Sequence, residues 1–155
     1  MKKHKYLVNV EWTGNTGLGT KNYKSYEREH LINVKGKYSN IAASSDPSFM
    51  GDKERYNPEE LFLSSIASCH MLWYLHLCSA NNIVVNEYID KAKGVMVEEE
   101  NGSGRFTEVT LSPKVIIENI DKEELAKELH SEANKMCFIA NSCNFTIKHN
   151  PSINS

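Results

Sequence analysis

Apolar residues near the amino terminus follow the spacing of two β-strands joined by a turn. Residues 5–12 and 22–34 are rich in β-branched and aromatic residues, and residues 13–19 between them contain three glycines. This pattern predicts an antiparallel hairpin, because glycine adopts the backbone angles of tight turns. Residues 35–57 have no regular apolar period and are predicted to be a loop. Loops of this length are uncommon, so we expect this one to cover or build a functional region.

The next segment predicts a helix from residue 58, and its residues 61–80 are almost continuously apolar, which indicates that it is buried on most sides. Asn57 marks its start as a capping residue, and Pro58 fits the first helical position. Glu59 and Glu60 follow at the positive end of the helix dipole. The length also suits a membrane span. However, serine and histidine residues interrupt the run and no basic cluster flanks it, so a core helix is the better prediction.

The second half of the chain predicts two more strands, a second helix and a last strand. The strands are residues 88–99 and 105–118, joined by an Asn-Gly-Ser-Gly turn. Asp121 is predicted to cap a helix over residues 122–141, and residues 145–148 complete a sheet before a frayed tail. The apolar stripe of the second helix is predicted to contain Leu125, Leu129, Ala133, Met136, Cys137 and Ala140.

The order of these elements predicts an α+β fold. A chain of 155 residues suits a single domain, residues 1–155. Eighteen basic residues against twenty acidic ones give a net charge of -2, which argues against a nucleic-acid partner. The amino terminus lacks the apolar core of a secretory signal, so we expect a cytoplasmic location. Cysteines there are reactive, metal-binding or buried more often than disulfide-bonded.

Four cysteines are the strongest chemical candidates: Cys69, Cys78, Cys137 and Cys143. Cys69 is predicted on the first helix and Cys137 on the apolar stripe of the second. Two interpretations stay open. Both residues are small apolar core side chains, or helix packing brings them together as a thiol pair. In the second case the thiolate needs a nearby cation or donor, because burial alone raises a thiol pKa.

A zinc site is a weaker interpretation of the same residues. The gaps from Cys69 to Cys78 and from Cys137 to Cys143 are longer than those of roughly two to four residues in common structural zinc sites. Cys69 and His70 are neighbours on a helix and point about 100° apart. We therefore expect neither a metal nor another cofactor.

Two motifs resemble a known family. Asn-Pro-Glu-Glu-Leu-Phe at residues 57–62, followed by Ser-Ile-Ala-Ser-Cys-His at residues 65–70, resembles the central-helix motif of the OsmC/Ohr family, the osmotically induced and organic hydroperoxide resistance proteins. Residues 135–142 resemble that family's second-cysteine segment. Residues 69–78 and 104–109 resemble an OsmC-like subgroup more than a typical Ohr protein, and the resemblance covers nearly the whole chain.

The resemblance implies antiparallel sheets wrapped around central buried helices in an intertwined homodimer, with active sites at the subunit interface. It also implies that the protein reduces organic hydroperoxides. Cys69 would be the peroxidatic cysteine, Cys137 the resolving cysteine and Glu59 the family's acidic residue, and an external dithiol would reduce the resulting disulfide. The family's activating arginine has two candidates here, Arg28 and Arg55. Arg28 is preferred because a strand holds a side chain more rigidly than a long loop does.

Apolar residues around Cys69 are expected to line a pocket that favours organic hydroperoxides over hydrogen peroxide: Phe62, Ile66, Met71 and Trp73. The alternative function is that of a non-catalytic protein of the same fold that binds a small apolar ligand at the dimer interface. Under both hypotheses we expect neither a nucleic-acid nor a membrane partner.

Overall fold

The structure is a computed structural model that describes residues 1–118 and 120–154. Its chain divides into two units, Met1–Leu61 and Phe62–Ser155. Helices and short sheets together give the α+β class that the element order predicts. The expectation of one domain over residues 1–155 stays a prediction.

The N-terminal unit contains one antiparallel sheet. Its strands are β1 (Asn9–Trp12), β2 (His30–Asn33) and β3 (Ile41–Ala43), in the order β1-β2-β3. The predicted antiparallel pairing is therefore confirmed, but both strands are shorter than predicted, and the connection over residues 13–29 is longer than the predicted turn. Residues 35–57 are not only a loop, since they contain β3 and a 3₁₀ turn at Pro47–Phe49. A three-residue strand is too short to leave an apolar period in the sequence.

The long helix α1 (Pro58–Ala80) begins at the predicted residue. The Glu60 backbone N–H donates to Asn57 Oδ1 at 2.8 Å, and the Asn57 N–H donates to Glu60 Oε2 at 3.1 Å, which is a reciprocal capping box. The sequence predicted that this helix is buried on most sides, but within this chain it is not. Only every fourth residue is buried (Ile66, His70, Tyr74 and Cys78).

Among the described residues, α1 is also the one helix long and apolar enough to cross a membrane by length and composition alone. Its buried stripe packs against strands of the same chain. Ile66 belongs to a core cluster with Val109, and Tyr74 to a second cluster with Val115. These contacts are those of a core helix.

The two strands predicted after α1 are each broken in the middle. The four resulting strands are β4 (Val85–Asp90), β5 (Lys93–Glu98), β6 (Gly104–Leu111) and β7 (Pro113–Ile117). β4 pairs with β7 in one sheet, and β5 pairs with β6 in another. At the break, the Ser112 N–H donates to Asp90 Oδ1 at 2.7 Å. This bond satisfies a backbone donor where the ladder is interrupted.

Helix α2 (Glu123–Met136) is shorter than predicted at both ends. A 3₁₀ turn at Ile120–Lys122 precedes it, so Asp121 lies in that turn and is not the cap. The core stripe is also rotated from the predicted one. Leu125 and Met136 are 36% and 45% exposed, and the buried residues of α2 are Ala126, Leu129, His130 and Ala133. Small Ala126 faces the core where the sequence pattern favoured the bulkier Leu125.

The end of the chain returns to both sheets of the C-terminal unit. β8 (Ile147–His149) pairs parallel with β6, and β9 (Ser152–Asn154) pairs parallel with β7. Residues 152–154 of the predicted frayed tail are therefore part of a sheet, and Ile153 is buried in the core, whereas Ser155 lies outside the described residues. These two pairings differ from the expected wholly antiparallel sheets. Parallel strands need a long connection between them, and α2 provides it here, so that β8 and β9 run in the same direction as their partners β6 and β7.

Candidate active site

The two predicted thiols are in contact. Cys69 lies on α1 and is half-buried, whereas Cys137 follows the last residue of α2 and is fully buried. Burial and then the hydrogen bond from its S–H to Cys69 raise the pKa of Cys137 to about 11. The sequence placed Cys137 on the apolar stripe of the second helix, but it lies in the turn that ends α2.

This turn is held by hydrogen bonds to the free carbonyls at the end of α2. The Asn141 side-chain amide donates to the carbonyl of Lys135 at 2.9 Å, and its backbone N–H donates to the carbonyl of Cys137 at 3.0 Å. The backbone N–H of Ala140 donates to Cys137 Sγ at 3.3 Å. Helix ends need such partners, and here they also fix the position of the Cys137 sulfur.

An apolar cavity of about 290 Å³ lies on the helix face that carries Cys69. Its lining residues are Leu72, Trp73, His76 and Phe138. Leu72 and Trp73 follow Cys69 at helical spacings of three and four residues, and Phe138 is next to Cys137. The Trp73 ring meets Phe138 edge-on, with the ring centroids 5.8 Å apart. The cavity therefore combines aromatic walls with proximity to both thiols.

The other residues predicted for the pocket lie elsewhere in the C-terminal unit. Ile66 is fully buried in the core, and Phe62 packs against Phe106 with ring centroids 5.0 Å apart. Met71 is half-buried on α1 and does not line the cavity. Of the predicted set, Trp73 is the lining residue. The helical spacing from Cys69 would have identified Leu72, Trp73 and His76 together.

Arg28 precedes β2 and is not on a strand, so the rigidity expected of its backbone position is not found. Arg28 and Arg55 are both engaged within the N-terminal unit, but in different ways. The Arg28 guanidinium donates to the backbone carbonyls of Tyr23 and Tyr26, and it lies 4.3 Å from the centre of each tyrosine ring. Among the described residues, no carboxylate lies within ion-pair distance of Arg28. Arg55 contacts two, Glu29 at 3.4 Å and Asp52 at 3.5 Å. Arg28 therefore carries the less compensated charge.

Glu59 lies in the first turn of α1 and is half-buried. Ten residues of continuous helix separate it from Cys69, which corresponds to roughly 15 Å along the axis. The two side chains cannot meet within one straight helix. A role for Glu59 at Cys69 would therefore need a further group, such as one from a second subunit.

A buried histidine pair, which the sequence did not predict, lies beside the thiols. His70 on α1 and His130 on α2 are essentially inaccessible to solvent, and His70 Nε2 lies 3.0 Å from His130 Nδ1. The Tyr74 ring stacks on His130 with centroids 3.8 Å apart, and His149 of β8 lies 5.9 Å from His70 by ring centroids. Sixty residues separate the paired histidines, so no local pattern could reveal the contact.

The histidine cluster is uncharged at neutral pH. Burial, and then the nearby His149, lower the pKa of His70 to about 4. Burial, and then His70 and His149, lower the pKa of His130 to about 3. Burial also lowers the pKa of His149. In the part of the chain that the structure describes, no three histidine, cysteine or acidic side chains are arranged to hold a metal ion.

Comparison with known proteins gives one family. The family model for OsmC-like proteins matches residues 51–152 of the chain. No curated protein matches the sequence. The matched range contains Cys69, Cys137 and the histidine pair.

Solved structures with the same fold cover the whole chain. An OsmC-like protein of unknown function from Vibrio cholerae is 27% identical with a TM-score of 0.85, over 98% of this chain and 100% of its own. An OsmC-like protein from Mycoplasma pneumoniae is 17% identical with a TM-score of 0.74, over 99% and 100%. An organic hydroperoxide resistance protein from Elizabethkingia anophelis is 18% identical with a TM-score of 0.68, over 99% of both chains.

The histidine pair predicts that acid destabilises the fold. Native His70 and His130 titrate well below the ordinary value of 6.5. The unfolded chain therefore binds more protons than the native one, and stability falls as the pH drops from about 6.5 toward 4. We expect each histidine to reduce the free energy of unfolding by about 1–2 kcal/mol between pH 7 and pH 5, measured by urea titration.

Two variants separate this effect from general acid denaturation. His130→Asn keeps a hydrogen-bonding group without a titrating ring, so its stability should change less over the same pH range. The exposed His4 provides the matched control, since His4→Asn should leave the pH dependence of the wild type unchanged. Equal wild-type stability at pH 7 and pH 5 would contradict the prediction.

Proposed function

Because the chain belongs to the OsmC-like family, we propose that it is a cytoplasmic, thiol-dependent peroxidase that reduces organic hydroperoxides. One observation carries the proposal: Cys137 and Cys69 lie close enough for each thiol to affect the other, and residues near both in the sequence line an aromatic cavity. The name of the Elizabethkingia neighbour, an organic hydroperoxide resistance protein, supports the substrate class. Two core cysteines without a function would need neither the contact nor the cavity.

In the first step, the Cys69 thiolate attacks the terminal oxygen of the hydroperoxide. A sulfur–oxygen bond forms, the O–O bond breaks, and the leaving alkoxide takes a proton to become the alcohol. Cys69 is then a sulfenic acid, oxidised by two electrons. Cys137 is the poorer nucleophile at this stage, because its raised pKa keeps it protonated.

In the second step, the Cys137 sulfur attacks Cys69. The S–S bond forms as the sulfenic S–O bond breaks, and the hydroxyl group leaves as water with the proton from Cys137. An external dithiol then exchanges with the disulfide, returns both cysteines to thiols and becomes a disulfide itself. The turn at the end of α2 supports this step, since the Ala140 N–H fixes the Cys137 sulfur and that sulfur interacts with Cys69.

The cavity supports a preference for organic substrates. Three of its four lining residues, Leu72, Trp73 and Phe138, are apolar, and its volume of about 290 Å³ has room for a small alkyl or aryl group. Hydrogen peroxide gains nothing from such walls, whereas an organic group is removed from water on binding.

We expect the wild type to consume cumene hydroperoxide with dithiothreitol as reductant, and faster than it consumes hydrogen peroxide. Cys69→Ser should abolish consumption because the nucleophile is lost. Cys137→Ser should stop after about one turnover per chain and accumulate a sulfenic acid that dimedone traps. Mass spectrometry of the oxidised wild type should identify a Cys69–Cys137 disulfide, whose geometry requires Cα atoms roughly 4.4–6.8 Å apart.

Cys143→Ser is the matched control, since this thiol donates to the Ile139 carbonyl at 3.3 Å and has no role in the proposed steps. It should keep wild-type turnover. If the wild type consumes no hydroperoxide but binds an apolar fluorophore in the cavity, the proposal is wrong. The alternative, a non-catalytic binding protein of the same fold, then holds.

We propose further that the protein is an obligate homodimer. Much of the apolar α1 is uncovered within one chain, and Leu72 is 62% exposed. Burying such residues against a second copy would stabilise both chains. Sedimentation at micromolar concentration should give about twice the chain mass of 17.6 kDa. A folded and active monomer would disprove the dimer.

Arg28 is the proposed cation for the Cys69 thiolate. Its guanidinium is held by two carbonyls and two rings, and no described carboxylate neutralises it. Arg28→Ala should slow the alkylation of Cys69 by iodoacetamide at neutral pH by on the order of tenfold. Arg55→Ala is the matched control and should change the rate little, because Glu29 and Asp52 already compensate Arg55. Equal rates in both variants and the wild type would exclude an arginine from this role.

A further inference from the structure

We propose that His70 and His130 are positioning residues that hold Cys137 against Cys69, and that the disulfide between these cysteines forms less readily in acid. The inference rests on the proposed function. His70 directly follows Cys69 on α1, and His130 lies two helical turns before Cys137 on α2. The pair therefore links the two helices close to the residues that react.

Among the described residues, each imidazole of the pair makes one hydrogen bond, which is the bond to the other ring. His70 Nε2 and His130 Nδ1 are 3.0 Å apart, and the rings are parallel to within 9°. The remaining nitrogens, His70 Nδ1 and His130 Nε2, are buried and have no protein partner among the described residues. Loss of the pair would leave both rings without a partner in the protein, which is more costly than losing an exposed bond.

The hydrogen bond between the histidines fixes the position of α2 relative to α1, which apolar packing alone leaves adjustable. The other buried residues of α2, Ala126, Leu129 and Ala133, contribute non-directional contacts to the core. A helix can slide or rotate on such a surface at low cost, and a hydrogen bond of fixed length resists both movements. The helix from His130 to Met136, about 9 Å long, and the turn that follows it carry the constraint to Cys137.

Acid removes the constraint. In the neutral pair one nitrogen carries the hydrogen and the other accepts it. When both rings are protonated, each nitrogen carries a hydrogen, so the bond is replaced by repulsion. Among the described residues around the pair, none carries a negative charge at low pH that could balance two protonated rings. His149 from β8 is itself basic, and Tyr74 from α1 is neutral. Cys78 and Tyr88 lie beyond Tyr74. Asp90 of β4 faces Tyr88, not the imidazoles, and burial raises its pKa.

Equilibration with glutathione measures the constraint directly. One protein dithiol and one glutathione disulfide give one protein disulfide and two glutathione thiols, so the reaction balances without net proton uptake while all the thiols are protonated. Its equilibrium constant reports how well Cys137 is held against Cys69. The constant is read from both directions, by mass spectrometry, from pH 7 to pH 3, because burial lowers the pKa of His70 to about 4 and that of His130 to about 3.

The variants keep or remove the bond. His130→Leu should lower the constant on the order of threefold to tenfold at pH 7, as expected for the loss of one hydrogen bond. His130→Asn places an amide near the position of Nδ1 and should stay within about twofold of the wild type. The wild-type constant should fall in acid, and the non-titrating double variant His70→Gln/His130→Asn should show a smaller fall.

Val109→Ala is the matched control for stability. Val109 is fully buried in the core cluster that does not contain α2, so the variant weakens the fold without touching the histidine pair. Its constant should equal that of the wild type. A merely structural role for the histidines would make Val109→Ala and His130→Leu behave alike, and this would overturn the inference.

Two further outcomes separate the inference from the proposed function. A wild type that forms the Cys69–Cys137 disulfide with the same constant and pH dependence as His130→Leu would overturn the positioning role and leave the peroxidase proposal standing. A wild type that forms no such disulfide would overturn both. If His130→Leu does not fold, the pH profile of the His70→Gln/His130→Asn variant decides alone, since a profile identical to the wild type contradicts the inference.

Discussion

The packing of α2 on α1 is the interaction on which the rest of the candidate site depends. Cys69 belongs to α1, and Cys137 belongs to the turn that ends α2. Neither local sequence contains information about the other, so their contact exists only because the two helices meet in one register. Ala126, Leu129 and Ala133 of α2 share a core cluster with residues of α1, and the His70–His130 hydrogen bond joins the two helices directly. The proposed reaction of the two cysteines therefore depends on core residues of α1 and α2 that do not themselves react.

Electrostatics around this core explain why the choice of arginine matters. The buried histidines next to the thiols are neutral at physiological pH, because burial lowers the pKa of His70 and His130 to about 4 and about 3. They cannot supply positive charge to a thiolate. Arg55 and Arg105 are each compensated by carboxylates, whereas Arg28 has only carbonyls and aromatic faces. Of the three arginines, Arg28 is therefore the one whose charge no described carboxylate compensates.

Local signals in the sequence predicted local structure well. Asn57 and Glu60 form the capping box that starts α1, and the first hairpin pairs as its pattern indicates. Contacts between distant segments could not be predicted in the same way. The break held by Asp90 and Ser112 interrupts continuous β-strand patterns, because a carboxylate replaces a ladder partner there. The stripe of α2 was predicted only in part: Leu129 and Ala133 are buried as expected, but Ala126 takes the core position expected for Leu125. The resemblance to a family supplied the pairing of Cys69 with Cys137, which periodicity left open.

The unequal burial of the two thiols supports the order of the proposed reaction. Cys69 is half-buried, and Leu72 and Trp73, three and four residues after it on α1, line the aromatic cavity. In the proposed reaction the hydroperoxide therefore meets Cys69 first. Cys137 is fully enclosed, and its raised pKa makes it a weak nucleophile toward peroxide. In the proposed reaction the same enclosure is no obstacle to resolution, because the sulfenic acid would form on the cysteine that Cys137 already faces. A buried, protonated thiol is thus protected from direct oxidation by peroxide and remains available for the single partner it has to attack.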